Sequence, residues 1–138
     1  MKNLQINYLA VLVAAVSTFI LGAIWYLSFS GPWMELTGLT EEKISASGGD
    51  MSAMIISFIT YLLAAYAMAL LFKSMNISTL KTGAMTGALI GAFLIGGNIF
   101  TNNAYEMKSI GLSVLNAGFS TVSCTAMGAI LGAWKKYA

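Results

Sequence analysis

Four stretches of this chain carry no charged side chain, and each is long enough to cross a bilayer. They cover residues 6–29, 52–72, 82–100 and 110–134. At about 1.5 Å of rise per residue, helices of these lengths match the ~30 Å of membrane hydrocarbon. Every charged residue (Lys2, Glu35, Glu41, Glu42, Lys43, Asp50, Lys73, Lys81, Glu106, Lys108, Lys135, Lys136) falls at an end or in a connection. Charged residues make up 9% of the chain and hydrophobic ones 58%, whereas a soluble domain has ~25% charged. A water-soluble fold of 138 residues has too little interior to hide that much apolar surface. Barrel strands alternate apolar and polar over about ten residues; these runs are continuous and longer. In lipid each backbone group must bond within its segment, so helix is the form that fits. The expectation is an all-α integral membrane bundle of four transmembrane helices, forming one domain over residues 1–138. No small-x-small cleavage site follows the first run, where Trp25 and Tyr26 come instead. We therefore read that run as a span and not as a cleaved signal peptide.

Lysine placement predicts sidedness. Lys2, Lys73, Lys81, Lys135 and Lys136 lie on one side, Lys43 and Lys108 on the other. The positive-inside rule puts the larger group, with both termini, in the cytoplasm. The second and third connections are short, which predicts antiparallel neighbours. The first is longer. Gly31-Pro32 breaks the first helix there. Thr40-Glu41-Glu42-Lys43 starts a short interfacial helix, with Thr40 as cap and two carboxylates at the positive end of the dipole. Ser45 to Gly49 then loosens the chain.

Helices in lipid pack by close backbone approach and by interhelical hydrogen bonds. Gly83, Gly87 and Gly91 recur every four residues, and Gly128 and Gly132 share that spacing. At about 100° per residue, Leu94, Asn98 and Asn102 continue the first stripe. This predicts that Asn98 faces a neighbouring helix. The fourth run carries Ser113, Asn116, Ser120 and Ser123 on its other face. Ala14, Ala15, Thr18, Gly22 and Trp25 share a face of the first; Ser57, Thr60, Tyr61, Ala64 and Met68 share one of the second. Two readings stand. Either these stripes are packing contacts, with Asn98 paired to Asn116, or Asn98, Asn102, Asn103 and Asn116 line a polar cavity. Trp25, Tyr26, Phe29 and Trp33 fall at the external interface, where amphipathic rings settle. They are either an interfacial belt or an aromatic-lined mouth closed by residues 31–47. Trp134 and Tyr137 anchor the opposite end.

Gly22-Ala23-Ile24-Trp25-Tyr26, then Trp33-Met34 and Leu36-Thr37-Gly38-Leu39-Thr40, give the chain a likeness. It resembles the bacterial membrane proteins grouped as domain of unknown function 1761. Thr101-Asn102 with Tyr105-Glu106, and Asn116-Ala117-Gly118 with Met127-Gly128-Ala129-Ile130-Leu131, are similar to that family's later helices. The resemblance spans nearly the whole chain and implies four spans of about this length, with no activity attached. It departs at Met107-Lys108-Ser109, where a basic residue and a proline are expected.

Function classes narrow by chemistry. Seven lysines without arginine, dispersed along the chain, make no nucleic-acid footprint. There is no histidine, and Cys124 is the one cysteine. That removes most transition-metal sites and any intramolecular disulfide. No metal or cofactor is expected, and Cys124 reads as a small packing residue. Enzymes need placed acids, bases, nucleophiles or metal ligands, which the spans lack beyond hydroxyls, amides and Cys124. Proton-coupled exporters of this size need an acid within a span, and none is present. A non-catalytic component that contacts lipid, and a partner or a second copy of itself, is the first expectation. The alternative is an oligomeric channel or facilitator for a small polar or amphipathic solute. The residues of interest for binding are Trp25, Tyr26, Trp33, Asn98, Asn102 and Asn116. Those for packing are Gly22, Gly83, Gly87, Gly91, Gly128 and Gly132, the glycine stripes also offering a surface for self-association.

Overall fold

The structure, a computed structural model, describes residues 3–48 and 51–138. Lys2, Gly49 and Asp50, which entered the reading of the termini and the first connection, lie outside the described residues. The described chain runs β1 (Leu4–Gln5), α1 (Tyr8–Ser28), α2 (Ser30–Thr37), α3 (Glu41–Ala46), α4 (Met51–Met75), α5 (Leu80–Leu89), a π-helical turn (Ile90–Ile95), α6 (Gly96–Tyr105), α7 (Ile110–Ala133) and β2 (Lys136–Tyr137). The fold is all-α apart from two paired two-residue strands. Four helices are long and apolar enough to cross a membrane: α1, α4, the continuous Leu80–Tyr105 helix, and α7. Outward faces such as Leu12, Val16, Ile20 and Ile24 on α1, or Ile55, Ile59 and Leu63 on α4, are exposed hydrocarbon, which suits lipid as the surrounding solvent.

Local sequence sets the helix starts. Asn7, Thr40, Thr79 and Ser109 each accept, through the side-chain oxygen, a hydrogen bond from the backbone N–H three residues on. This satisfies one of the four N–H groups that a helix start leaves free. The helices outrun the uncharged stretches at the second and third connections, which shrink to residues 76–79 and 106–109. Lys73 and Lys81 therefore sit in terminal turns, where a long aliphatic stem can lie along lipid while the ammonium reaches water.

The first connection is more helical than expected. The chain breaks at Phe29 (φ −107°, ψ 23°) rather than at Gly31-Pro32, and α2 begins directly after it. Pro32 falls in the first turn of α2, where its missing N–H has no intrahelical acceptor to lose. Gly38 ends α2 in the left-handed region (φ 72°) and bonds its N–H to the Met34 carbonyl. Thr40 and the two glutamates open α3 as the sequence predicts.

Helix α7 is the centre of the bundle. In its most apolar 18-residue stretch 44% of the residues are buried, against 22–33% in the other spans. It packs against the third span on one side and against α1 and α4 on another, and α1 packs on α4. Ala10, Ala14 and Ala15 of α1, Ala65, Met68, Ala69 and Phe72 of α4, and Met127 and Leu131 of α7 form the apolar core. On α4 this corrects the predicted face. Thr60 and Ala64 point outward, and the Thr60 hydroxyl bonds the Ser57 carbonyl of its own helix at 2.9 Å. A short connection also does not make α4 and α5 neighbours, since they share almost no contact. The end of α7 takes the place between them: Gly132 backs onto the Thr79 carbonyl, and Lys135 Nζ donates to the Ser78 carbonyl at 3.1 Å.

The seam between α5 and α7 is backbone against backbone. A Cβ added to Gly83 would collide with the Gly128 carbonyl oxygen, one on Gly87 with that of Cys124, and one on Gly91 with that of Ser120. Gly128 is equally constrained by the Gly83 carbonyl. The glycine stripes are thus covered inside one chain, and self-association has to use another surface. At the seam's end the π-helical turn intervenes. The Gly91 carbonyl accepts from the Gly96 N–H, five residues on, and from Ser120 Oγ at 2.8 Å. The buried positions of the third span consequently run 83, 87, 91, 96 and 103, with one wide step where the turn is inserted.

The first and last described segments of the chain meet at one end of the bundle. Leu4 and Gln5 pair antiparallel with Tyr137 and Lys136, and Asn7 Nδ2 donates to the Trp134 carbonyl at 3.3 Å.

Two substitutions test this packing in opposite directions. Gly87→Ala pushes α5 off α7 and is expected to lower stability by about 1–3 kcal/mol, the usual range for overpacking. Met107 holds a left-handed conformation (φ 54°) while its side chain is 93% exposed. Met107→Gly loses no contact and relieves that conformation, so stability should rise by about 0.5–1 kcal/mol. Reversible denaturation in mixed micelles reads both.

Candidate functional site

The bundle end opposite the paired strands carries a cluster of aromatic rings. Trp25 and Tyr26 sit in the last turns of α1. The break at Phe29 turns the chain so that Trp33 of α2 stands edge-on to Tyr26, with centroids 6.2 Å apart at 74°. Leu36 of α2 lies over Gly111 of α7 and fixes the short helix there. Phe119 of α7 is the hub. Tyr26 lies 5.4 Å from it, Tyr61 of α4 6.3 Å and Trp25 6.4 Å. Phe29 tilts against Trp25 at 4.9 Å. Tilted and edge-to-face pairs at these separations are favoured by the ring quadrupoles.

Two glycines make room for the rings. A Cβ on Gly22 would stand 3.3 Å from Phe119, and one on Gly118 would stand 3.1 Å from the Trp25 ring. The sequence marks Gly22 as a helix-packing residue; its neighbours are side chains and not a helix backbone.

Polar groups at this end are arranged in pairs. Tyr26 Oη donates to Asn116 Oδ1 at 2.9 Å, joining α1 to α7. Asn103 Nδ2 donates to Ser113 Oγ at 3.0 Å, both residues buried, joining α6 to α7. Deeper in, Ser120 Oγ bonds the Gly91 carbonyl. The Trp25 indole N–H is buried and has no hydrogen-bond partner. The chemistry on offer is that of indole, phenol, amide and hydroxyl groups. Such groups orient a partner through hydrogen bonds and ring faces.

The structure therefore brings together Trp25, Tyr26, Trp33 and Asn116. It does not bring Asn98 or Asn102 to them. Both amides are exposed on α6, and Leu94 is 70% exposed. The predicted Asn98–Asn116 pair is absent, and each expected member points elsewhere. The cause is the π-helical turn. One inserted residue rotates everything after it by about 100°, which carries the 94/98/102 stripe off the α7 seam and brings Asn103 onto it. Sequence reasoning also missed Phe119 as hub and Tyr61 as its α4 neighbour. Neither carries a local signal, because the rings meet only through tertiary contact.

The chain matches the model of a family described as a protein of unknown function, DUF1761, over residues 9–132. That match takes in the four long helices and both short ones. The chain belongs to the DUF1761 family. No curated protein and no solved structure matches it. Within this DUF1761 chain the matched region holds the whole aromatic cluster and the glycine seam, and it ends short of the paired strands.

The Tyr26–Asn116 bond is testable by a double-mutant cycle. Tyr26→Phe, Asn116→Leu and their combination should show a coupling of about 0.5–1.5 kcal/mol in micelle denaturation. Additive losses would mean the two side chains do not act together.

Proposed function

We propose that this DUF1761 protein is a non-catalytic component of the bacterial inner membrane that acts by contacting lipid and another membrane chain. The observation that carries this reading is the bonding of interior polar groups to one another, with the Trp25 indole N–H as an exception. Tyr26 with Asn116, Asn103 with Ser113, and Ser120 with the Gly91 carbonyl are each matched across a helix interface. A solute passage needs polar groups that face water or the solute; these face one another. The backbone seam of α5 on α7 leaves no gap between those helices for a path.

Sidedness follows from charge. Lys73, Lys81, Lys135 and Lys136 gather at the end where the termini meet, and Lys43 and Lys108 lie at the other. By the positive-inside rule the termini face the cytoplasm. The aromatic cluster then faces the outer side, with α2 packed over it.

Two measurements test the reading. Purified protein in liposomes should leave small polar and amphipathic solutes at the flux of empty vesicles; saturable flux that is lost in Asn116→Leu would replace this reading with a facilitator. In a Cys124→Ala background, cysteine at position 81 should react with an impermeant maleimide only after cells are opened, and cysteine at position 43 before. The reverse pattern would invert the topology.

A further inference from the structure

Two amides of α6 lie on the surface that the bundle offers to lipid. Asn98 and Asn102 are exposed, whereas Gly96 and Asn103 of the same helix are buried against α7. At about 100° per residue, Asn98 stands nearly opposite Gly96. The Leu80–Tyr105 span places Asn98 about 8 Å from its midpoint at ~1.5 Å per residue. That is well inside a hydrocarbon layer of ~15 Å half-thickness. Asn102, one turn further on, reaches its rim.

Several hydroxyls on outward faces of the spans bond their own helices. Thr60 bonds the Ser57 carbonyl, Ser74 the Leu71 carbonyl, and Thr86 the Thr82 carbonyl. Thr101, beside the two amides, bonds the Gly97 carbonyl. A hydroxyl can do this because one short donor reaches its own helix. Asn98 makes no such bond among the described residues, and its carboxamide brings two donors and an acceptor into a solvent that has none to offer.

We infer that the outward face of α6 is where two copies of this chain associate, with the Asn98 amides pairing across a two-fold axis. An amide is self-complementary: its N–H₂ donates to a carbonyl identical to its own. A second copy, related by a two-fold, supplies that group at the same depth and on the same face. Lipid tails supply nothing comparable, and interhelical amide bonds are an established source of association in membranes. The same face is not packed on α7, because the π-helical turn has carried it off that seam. Gly97 lies at its edge with nothing within 4 Å of a Cβ built there, so a second helix can approach closely. Asn102 sits at the rim, where headgroup water also serves it. Asn98 is therefore the determinant. This inference goes beyond the proposed function and does not rest on it; flux decides that reading, and self-association decides this one.

The test is the monomer–dimer equilibrium of dye-labelled full-length protein in phosphatidylethanolamine–phosphatidylglycerol vesicles, followed by energy transfer as the protein-to-lipid ratio is varied. The wild type should dimerise, and Asn98→Leu should weaken the dimer at least tenfold. Asn98→Gln, which keeps the amide, should retain most of it. Thr60→Val on α4 should change nothing. Helix content should be unaltered in Asn98→Leu, since that side chain is exposed on α6. In a Cys124→Ala background, cysteine at Tyr105 should cross-link between copies, and cysteine at Ile59 should not. A wild type that stays monomeric at every ratio would overturn the inference. So would a dimer indifferent to Asn98→Leu, or one that cross-links through α4.

Discussion

Direct contact between the backbones of α5 and α7 is the interaction on which the arrangement depends. In lipid there is no gain from hiding apolar side chains from water, so helices associate through the closeness of their approach. Gly83, Gly87 and Gly91 meet the carbonyls of Gly128, Cys124 and Ser120 with no side chain between them. That spacing commits α7 to the third span. Its remaining surface is left for α1 and α4, whose alanines provide a shallower version of the same fit. The order of helices around α7 follows from which faces can come closest, and chain connectivity yields to it. Helices α4 and α5 are joined by a short turn and yet stand apart, with the end of α7 seated at that turn.

The π-helical turn is the second determinant. Its wide step leaves the Gly91 carbonyl free for Ser120 as well as for Gly96. Past it, the third span presents Gly96 and Asn103 to α7 and turns Asn98 and Asn102 away. One inserted residue thus divides a polar helix end into an inner half, used for bonding within the chain, and an outer half that meets the surroundings. The interior bonds link α1 to α7 through Tyr26 and Asn116, and α6 to α7 through Asn103 and Ser113. Each removes an amide from lipid by satisfying it, and together they tie the aromatic end of the bundle, beyond the glycine seam.

The aromatic cluster belongs to the same logic. Gly22 and Gly118 leave hollows that the Phe119 and Trp25 rings fill, so small residues serve side-chain packing at one end of the bundle and backbone packing at the other. The break at Phe29 brings Trp33 against Tyr26, and α2 covers that end. The unpartnered Trp25 indole N–H is the one buried side-chain polar atom among the described residues that this packing leaves unsatisfied.

What could be read from sequence alone was whatever depends on one residue at a time or on a regular period. Exclusion of charge from long runs marked the four spans to within a few residues. Thr40 with its two glutamates marked the start of α3, and the four-residue glycine period marked faces of close packing. The inward face of α1, with Ala14, Ala15, Thr18 and Gly22, followed from helical spacing. Extrapolation failed where the period itself changed. A stripe drawn at 100° per residue through Gly91 leads to Asn98, and no local signal announces that the backbone between them is wound more widely. Tertiary structure alone decided that Asn103 replaces Asn98 on the seam, that α7 and not α4 adjoins α5, and that Phe119 gathers the aromatic rings. Those outcomes turn on which surfaces can approach most closely in three dimensions, a property of helix pairs that no single helix carries in its own residues.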